Sequence, residues 1–359
     1  MRVTIVLPLM TGLPSGGLKV QYENAGALAA RGHEVTVVHP MSDFRMIGVR
    51  GTWRYARLLA RHRRVGHGII GWFDLNPAVK LRLLPFLAGY LLPAADVTVL
   101  TAWQTAEWTM RPRRAAGRMV QVVYDYEFWM SARSEFKARV ARALSRPDVA
   151  LFSPSSAVTE MLREIGREPV AHTPPGIDND RFGCDVAPDE RARVVGFALR
   201  PYPQKAMSVM AEACELILGS RPDVAVRCYG AGDTEFPPGV ERVGVVDGPG
   251  LRAFYNSCRV FVLPSDYEGW GLPAAEAMTC GAALVTTANG GAEDFAVDGA
   301  NALVVPRRDP AAIAKAVLRL LEDDDLRLRI SSAGLRDSAK WALPRAASTF
   351  EQALLATVA

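Results

Sequence analysis

Two glutamates, Glu268 and Glu276, flank a glycine-rich segment in the second half of the chain. The residues between them include Gly269, Trp270, Gly271 and Leu272. Glycines let a backbone approach a ligand closely, and the amides and dipole at a helix start attract anions such as a diphosphate. An ionised carboxylate accepts two hydroxyl protons at once, so one glutamate suits a ribose diol and the other suits sugar hydroxyls. The pattern indicates a site for a nucleotide that carries a sugar.

Two cations upstream suit the same ligand. Arg200 and Lys205 lie five residues apart, just after the predicted strand Val194–Phe197. Fixed cations stabilise a diphosphate that gains negative charge as the bond to it breaks. The alternative interpretation is a pair of surface cations in a proline-rich loop.

The elements that must position these residues follow a regular alternation of β-rich runs and helical patterns. In the first half the runs are Val3–Leu7, Glu34–Val38, Val97–Thr101, Val120–Tyr124 and Val149–Phe152. In the second half they are Val194–Phe197, Val224–Tyr229, Val240–Val245, Val260–Leu263, Ala283–Thr287 and Ala302–Val305. This alternation predicts an α/β fold with one parallel sheet in each half, covered by helices on both faces. Ligands of such sheets bind beyond the carboxyl ends of the strands.

The whole string from Asp266 to Met278 resembles the Glu-x7-Glu signature of the family-four glycosyltransferases, which are retaining enzymes of the GT-B class. The resemblance implies two Rossmann-like, doubly wound domains facing across a cleft. A length of 359 residues suits two domains. Consecutive prolines and a glycine between His172 and Asp178 place the break there. We expect an acceptor-binding domain over residues 1–173, a nucleotide-sugar domain over 174–342, and a helix over 343–359 that packs back on the first domain.

The resemblance also assigns roles. It implies that Glu268, Arg200 and Lys205 act at the reacting centre and that Glu276 holds the ribose. The remaining residues that it implies for donor binding are Gly16, Gly17, Gly230, Gly232, Gly269, Trp270, Gly271 and Leu272. The first-half glycines do not form Gly-x-Gly-x-x-Gly, which argues against a nicotinamide dinucleotide fold.

One departure concerns the first domain. Many relatives place a histidine at the end of a strand near the reacting centre, but no histidine stands at the corresponding strand ends here. Asp125, Glu127 or Gln104 is a candidate for its role, because a carboxylate can accept a hydroxyl proton at close range. A solvated acidic loop is the alternative.

Charge is unevenly distributed. Residues 1–175 hold 23 Lys and Arg against 13 Asp and Glu, whereas residues 176–359 hold 19 against 25. Much of the excess lies in the arginine-rich segment 45–64, which is either a solvated helix face or a surface for an anionic acceptor or an anionic membrane. No nucleic-acid motif accompanies it.

Composition and the remaining motifs argue against a disulfide-rich, membrane-spanning or metal-dependent protein. The five scattered cysteines do not suggest disulfides or zinc, and no apolar run is long enough to span a bilayer, so we expect a cytoplasmic protein. The acidic triplets Asp178-Asn179-Asp180 and Asp323-Asp324-Asp325 lie at turns or helix caps, so no metal or other cofactor is expected.

The predicted function is transfer of a sugar from a nucleotide-diphosphate sugar to an acceptor hydroxyl. The partners would be the donor and a glycan, lipid-linked or small-molecule acceptor. Two alternatives are open: a nucleotide-sugar epimerase of the same architecture, and a protein that binds the sugar nucleotide without turnover.

Overall fold

A computed structural model describes residues 1–8, 15–40, 57, 60–62, 64–66, 70–110, 112–124 and 134–359. The chain divides into two compact units. The first unit consists of Met1–Pro174 and Pro344–Ala359, and the second unit consists of Pro175–Leu343.

The first unit is built on a seven-stranded parallel sheet. Its strands are β1 (Arg2–Val6), β2 (Glu34–Pro40), β3 (Lys80–Leu84), β4 (Val97–Leu100), β5 (Arg118–Val122), β6 (Val149–Ser153) and β7 (Ala171–His172). Their order in the sheet is β3-β2-β1-β4-β5-β6-β7. β4 is buried along its whole length, as expected for a central parallel strand covered on both faces.

Helices cover this sheet. In the described residues they are α1 (Gly16–Ala30), α2 (Trp103–Trp108), α3 (Ser134–Leu144), α4 (Ser156–Glu164) and the C-terminal helix (Leu343–Val358). Phe350 of the C-terminal helix is buried and meets Phe152 of β6 edge-on, with ring centroids 6.1 Å apart. Glu351 pairs with His33 at 2.6 Å and with Arg31 at 3.3 Å, which fixes the outer side of the helix.

The second unit repeats the design with six parallel strands. They are β8 (Val194–Leu199), β9 (Ala225–Gly230), β10 (Val240–Gly244), β11 (Val260–Leu263), β12 (Ala283–Thr287) and β13 (Ala302–Val305). Their order is β10-β9-β8-β11-β12-β13, so the direction of winding reverses between β8 and β11. The helices are α5 (Met207–Ser220), α6 (Gly248–Ser257), α7 (Leu272–Thr279), α8 (Pro310–Glu322) and α9 (Asp324–Asp337).

The predicted class, two doubly wound parallel sheets with helices on both faces, is confirmed. Two strands were not predicted. β3 is an edge strand in which Lys80 and Arg82 interrupt the apolar run, and β7 contains only Ala171 and His172, at the start of the segment predicted as a linker. Among the described residues, the helices are all too short or too polar to cross a bilayer.

Candidate active site

Three loops of the second unit meet at the carboxyl ends of the adjacent strands β8, β11 and β12. The amide of Asp266 donates to the carbonyl of Gln204 at 2.8 Å, and the amide of Glu268 donates to the carbonyl of Asn289 at 3.0 Å. Because the sheet order reverses between β8 and β11, this junction is the topological switch point where doubly wound sheets bind their ligands.

Glu268 and Lys205 are brought into direct contact at this junction. Lys205 Nζ donates to Glu268 Oε1 at 3.1 Å, and the Ser265 hydroxyl donates to the same oxygen at 2.7 Å. The side chains of Lys205 and Glu268 are only 14% and 9% exposed. Removing one partner of such a hydrogen-bonded charge pair costs about 1.5–3 kcal/mol. The carboxylate is therefore held in one orientation beside a fixed cation.

Glycines allow the loop to pack this closely. Gly271 adopts the left-handed conformation with φ of +103° and caps α7, and Pro273 lies in the first turn of that helix, where its missing N–H costs nothing. Gly291, in the loop after β12, packs directly on the backbone of the β11 loop. A Cβ atom there would lie 2.6 Å from the carbonyl oxygen of Glu268. Gly269 is buried in the same loop, and Leu272 is half-buried.

Arg200 follows β8 and lies over an aromatic ring. Its guanidinium carbon is 5.3 Å from the ring centroid of Tyr229, and Nη1 donates to the carbonyl of Leu199 at 3.1 Å. Gly230 has φ of +114°, and a Cβ atom there would lie 2.5 Å from Arg200 Nη1. Gly232 also packs on β8, where a Cβ atom would lie 3.1 Å from Leu199 Cδ1. Both glycines thus leave room for the segment that carries Arg200.

Glu276 lies on α7 and is almost fully buried. The Tyr255 hydroxyl donates to Glu276 Oε2 at 2.8 Å, and the Tyr229 hydroxyl lies 2.7 Å from that of Tyr255. Burial raises the pKa of both tyrosines well above the ordinary value, so both hydroxyls keep their protons at neutral pH. The sequence does not point to Tyr229 or Tyr255, since aromatic residues in a strand and a helix read as ordinary core.

Trp270 has a packing role in this structure. Its ring is buried against Phe295, with centroids 4.9 Å apart, and against Trp341, with centroids 6.4 Å apart. The cluster anchors the middle of the glycine-rich loop on the core. A role for Trp270 in ligand binding stays a prediction.

Charged side chains surround the start of the same loop. Arg308 Nε donates to Asp266 Oδ2 at 2.8 Å, and the Arg307 guanidinium carbon lies 4.7 Å from the ring centroid of Tyr267. Both arginines follow β13, so the loops after β11 and β13 are also joined.

The first unit has a small cavity at the carboxyl ends of its central strands. It measures about 160 Å³, and its lining includes Gly17 of α1, Thr101 after β4 and Tyr124 after β5. Gly16 is the first residue of α1, which begins beside this cavity. Gln104 lies half-buried in the first turn of α2.

Two groups of predicted residues fall largely or wholly outside the described residues. Asp125 and Glu127 both lie outside them, and their role at the acceptor stays a prediction. Most of the arginine-rich segment 45–64 lies outside them as well. Of its arginines, those described are Arg57, Arg61 and Arg64, all exposed.

The acidic triplets lie at turns and caps. Asp178 Oδ1 accepts the amide of Asp180 at 3.0 Å, and Asp323 accepts the amide of Leu326 at 2.8 Å and caps α9, as predicted. Within the described part of the chain, no group of three or more His, Cys, Asp or Glu side chains is arranged to hold a metal ion.

Comparison with known proteins gives a consistent result. Residues 192–323 match the family model described as "Glycosyl transferases group 1". D-inositol 3-phosphate glycosyltransferase of Stackebrandtia nassauensis is 29% identical over 224 residues, covering 54% of this chain and 50% of that protein. Phosphatidyl-myo-inositol mannosyltransferase of Mycobacterium leprae is 25% identical over 353 residues, covering 93% and 91%. The chain therefore aligns with about half of the first relative and with most of the second.

The fold has close counterparts among solved structures. Anabaena HepE, solved in complex with UDP and glucose, superposes with a TM-score of 0.76 at 13% identity and covers 99% of this chain and 100% of its own. A likeness at this identity concerns the fold, and the family match concerns the second unit, where Glu268, Lys205 and Arg200 lie. Residues 192–323 therefore carry a match to the group 1 glycosyltransferases, and the chain has the GT-B fold.

Proposed function

We propose that this protein transfers a sugar from a nucleotide-diphosphate sugar to an acceptor hydroxyl, with retention of the anomeric configuration and without a metal ion. The observation that carries the proposal is the contact between Lys205 and Glu268 at the switch point of the second unit. The bond that breaks in such a donor joins the sugar to the diphosphate. A cation suits the diphosphate side of this bond, and a carboxylate beside it suits the hydroxyls of the sugar.

Arg200 and Lys205 would bind the diphosphate. Lys205 carries three N–H donors, so it can contact phosphate oxygens while it keeps its bond to Glu268. As the glycosidic bond breaks, negative charge grows on the diphosphate, and fixed cations and loop amides stabilise it more than they stabilise the intact donor. The departing diphosphate would help to take the acceptor proton from the same face of the sugar.

Glu268 would orient the sugar. Among the described residues, Lys205 and Ser265 both donate to Oε1, and we assign Oε2 to a hydroxyl of the donor sugar. Glu276 would accept the ribose hydroxyls from its place on α7. The first unit would bind the acceptor, and the cavity beside Gly17 and Tyr124 is the place to look for it. Contact between the basic first unit and an anionic membrane stays a prediction.

The names of the two relatives suggest which substrates to try first. One is named for D-inositol 3-phosphate and the other for phosphatidyl-myo-inositol and mannose. The test is incubation of GDP-, UDP-, dTDP- and ADP-sugars with inositol phosphates and phosphatidylinositol, followed by NMR of the product linkage. We expect an α-linked product from an α-linked donor.

Matched variants make the test specific. Glu268→Gln should abolish transfer, whereas Glu212→Gln, at an exposed position on α5, should not change it. A product of inverted configuration would contradict retention. Conversion of a nucleotide sugar to its epimer without any acceptor would replace the proposal with the epimerase alternative.

A further inference from the structure

Two buried tyrosines join the two ends of the predicted donor site. Tyr255 donates to Glu276 Oε2 at 2.8 Å, and its oxygen lies 2.7 Å from that of Tyr229. The ring of Tyr229 in turn carries the Arg200 guanidinium 5.3 Å from its centroid. Three elements, β9, α6 and α7, are therefore linked to the segment after β8 by one chain of contacts.

The direction of the hydrogen bonds follows from the chemistry of phenols. Each tyrosine has a single O–H proton, and that of Tyr255 goes to the Glu276 carboxylate, which only accepts. Tyr229 must then be the donor to Tyr255. A chain that ends on an ionised acceptor in a buried site is polarised toward it, so each bond strengthens the other.

The two tyrosines are buried and packed against other aromatic rings. Tyr255 is fully buried on α6, with its ring 5.3 Å from that of Phe261 and 5.9 Å from that of Phe182. Tyr229 is also buried, and its ring meets Tyr255 at 87°. A carboxylate fixed from one side by such a partner presents a single orientation to a ligand.

We propose that Tyr255 and Tyr229 are positioning residues that hold Glu276 and Arg200 in the arrangement a nucleoside diphosphate requires. The inference rests on the proposed function, because it takes Glu276 as the ribose ligand and Arg200 as a diphosphate ligand. The ribose ligand and the diphosphate ligand are then already in place before the nucleotide binds. Fewer side chains have to be ordered on binding, which lowers its free-energy cost.

The test compares two buried tyrosines that each lose one hydroxyl. Tyr255→Phe removes the bond to Glu276, and Tyr22→Phe is its matched control in the first unit, where the buried Tyr22 hydroxyl bonds His39 Nε2 at 2.9 Å. The probes are UDP, GDP and ADP and the 2′,3′-dideoxy counterpart of whichever binds the wild-type protein. Affinities are measured by calorimetry.

Tyr255→Phe should weaken binding of the nucleoside diphosphate by about tenfold. Loss of the ribose hydroxyls should cost the variant much less affinity than it costs the wild type, since the carboxylate is no longer oriented toward the diol. Tyr22→Phe should change neither quantity. A merely structural role for Tyr255 would weaken ribo and dideoxy ligands equally, and that result would overturn the proposal.

Tyr229→Phe is the variant to test if Tyr255→Phe does not fold. It keeps the ring under Arg200 and the bond to Glu276 but removes the proton that Tyr255 accepts, and we expect about a threefold loss of affinity. Wild-type affinity in this variant would overturn the proposal. Failure of the proposed function looks different, because the wild-type protein would then bind no nucleoside diphosphate or would not distinguish ribo from dideoxy ligands.

Discussion

Gly291→Ala tests whether the loop that carries Glu268 must stay where the structure places it. Gly291 has φ of −68° and ψ of −38°, which any residue adopts, so alanine brings no backbone strain. Its Cβ atom would nevertheless lie 2.6 Å from the carbonyl oxygen of Glu268 and 2.6 Å from the amide nitrogen of Trp270. Both are backbone atoms and cannot rotate away.

The size of the effect follows from these distances. Ordinary contact begins near 3.4 Å, so the loop must retreat by about 0.8 Å from a closest approach of 2.6 Å. Overpacking of this kind costs about 1–3 kcal/mol of folding free energy. A misplacement near 1 Å at a reacting centre costs about 10²-fold in rate. We therefore expect a folded protein of lower stability whose turnover falls about a hundredfold.

The assays are urea unfolding and release of nucleoside diphosphate from the nucleotide sugar. Gly219→Ala is the matched control, because no heavy atom lies within 4 Å of its added Cβ and it lies within helix α5. It should leave turnover unchanged and stabilise the helix by at most about 1 kcal/mol. Gly291→Ala with wild-type turnover and stability would refute the reasoning.

Three further predictions concern stability and reactivity. Phe350→Ala should lower the free energy of unfolding by about 3–5 kcal/mol in urea titrations, because it empties the contact with Phe152, and a loss below about 1 kcal/mol would contradict this packing. Hydrogen bonds from Lys340 and Asn301 lower the pKa of Asp337, so this carboxylate stabilises the fold above the ordinary aspartate pKa of about 3.9, and the stabilisation is lost as pH falls through the lower folded pKa. Asp337→Asn should therefore flatten the acid side of the plot of unfolding free energy against pH. An unchanged plot would contradict this prediction. Iodoacetamide at pH 8 should label the half-exposed Cys184 first, as read by mass spectrometry. Burial raises the pKa of Cys214, Cys258 and Cys280 to about 12, so these thiols should react slowly. Early labelling of any of them would contradict the structure.

The strands were predictable where they are buried on both faces. β11 and β12 have the bounds that their apolar runs predict. So does β13, although it lies at the edge of its sheet and its last two residues are only half-buried. The helix expected over 343–359 spans Leu343–Val358. β3 escaped because an edge strand with one wet face tolerates Lys80 and Arg82, and Lys80 pairs across to Glu34 on β2. The two-residue β7 is too short to carry any pattern.

The sequence places the candidate residues in loops after strands, but it does not reveal which of them touch. Glu268 and Lys205 stand out because a carboxylate and a cation lie in glycine- and proline-rich loops after strands. Their mutual contact depends on β8 lying next to β11, and sequence separation hides that neighbour relation. The link from Glu276 through Tyr255 was invisible for another reason: a buried tyrosine is recognised as a hydrogen-bond donor only when its partner is known.

The most direct test of the central claim is binding of UDP, GDP, dTDP, ADP and NAD to the wild-type protein, to Glu276→Ala and to Glu212→Ala. Selective binding of one nucleoside diphosphate that is weakened at least tenfold by Glu276→Ala and unchanged by Glu212→Ala is the predicted result. Binding of none of them, binding of NAD alone, or equal affinity in Glu276→Ala would contradict a donor site at this position.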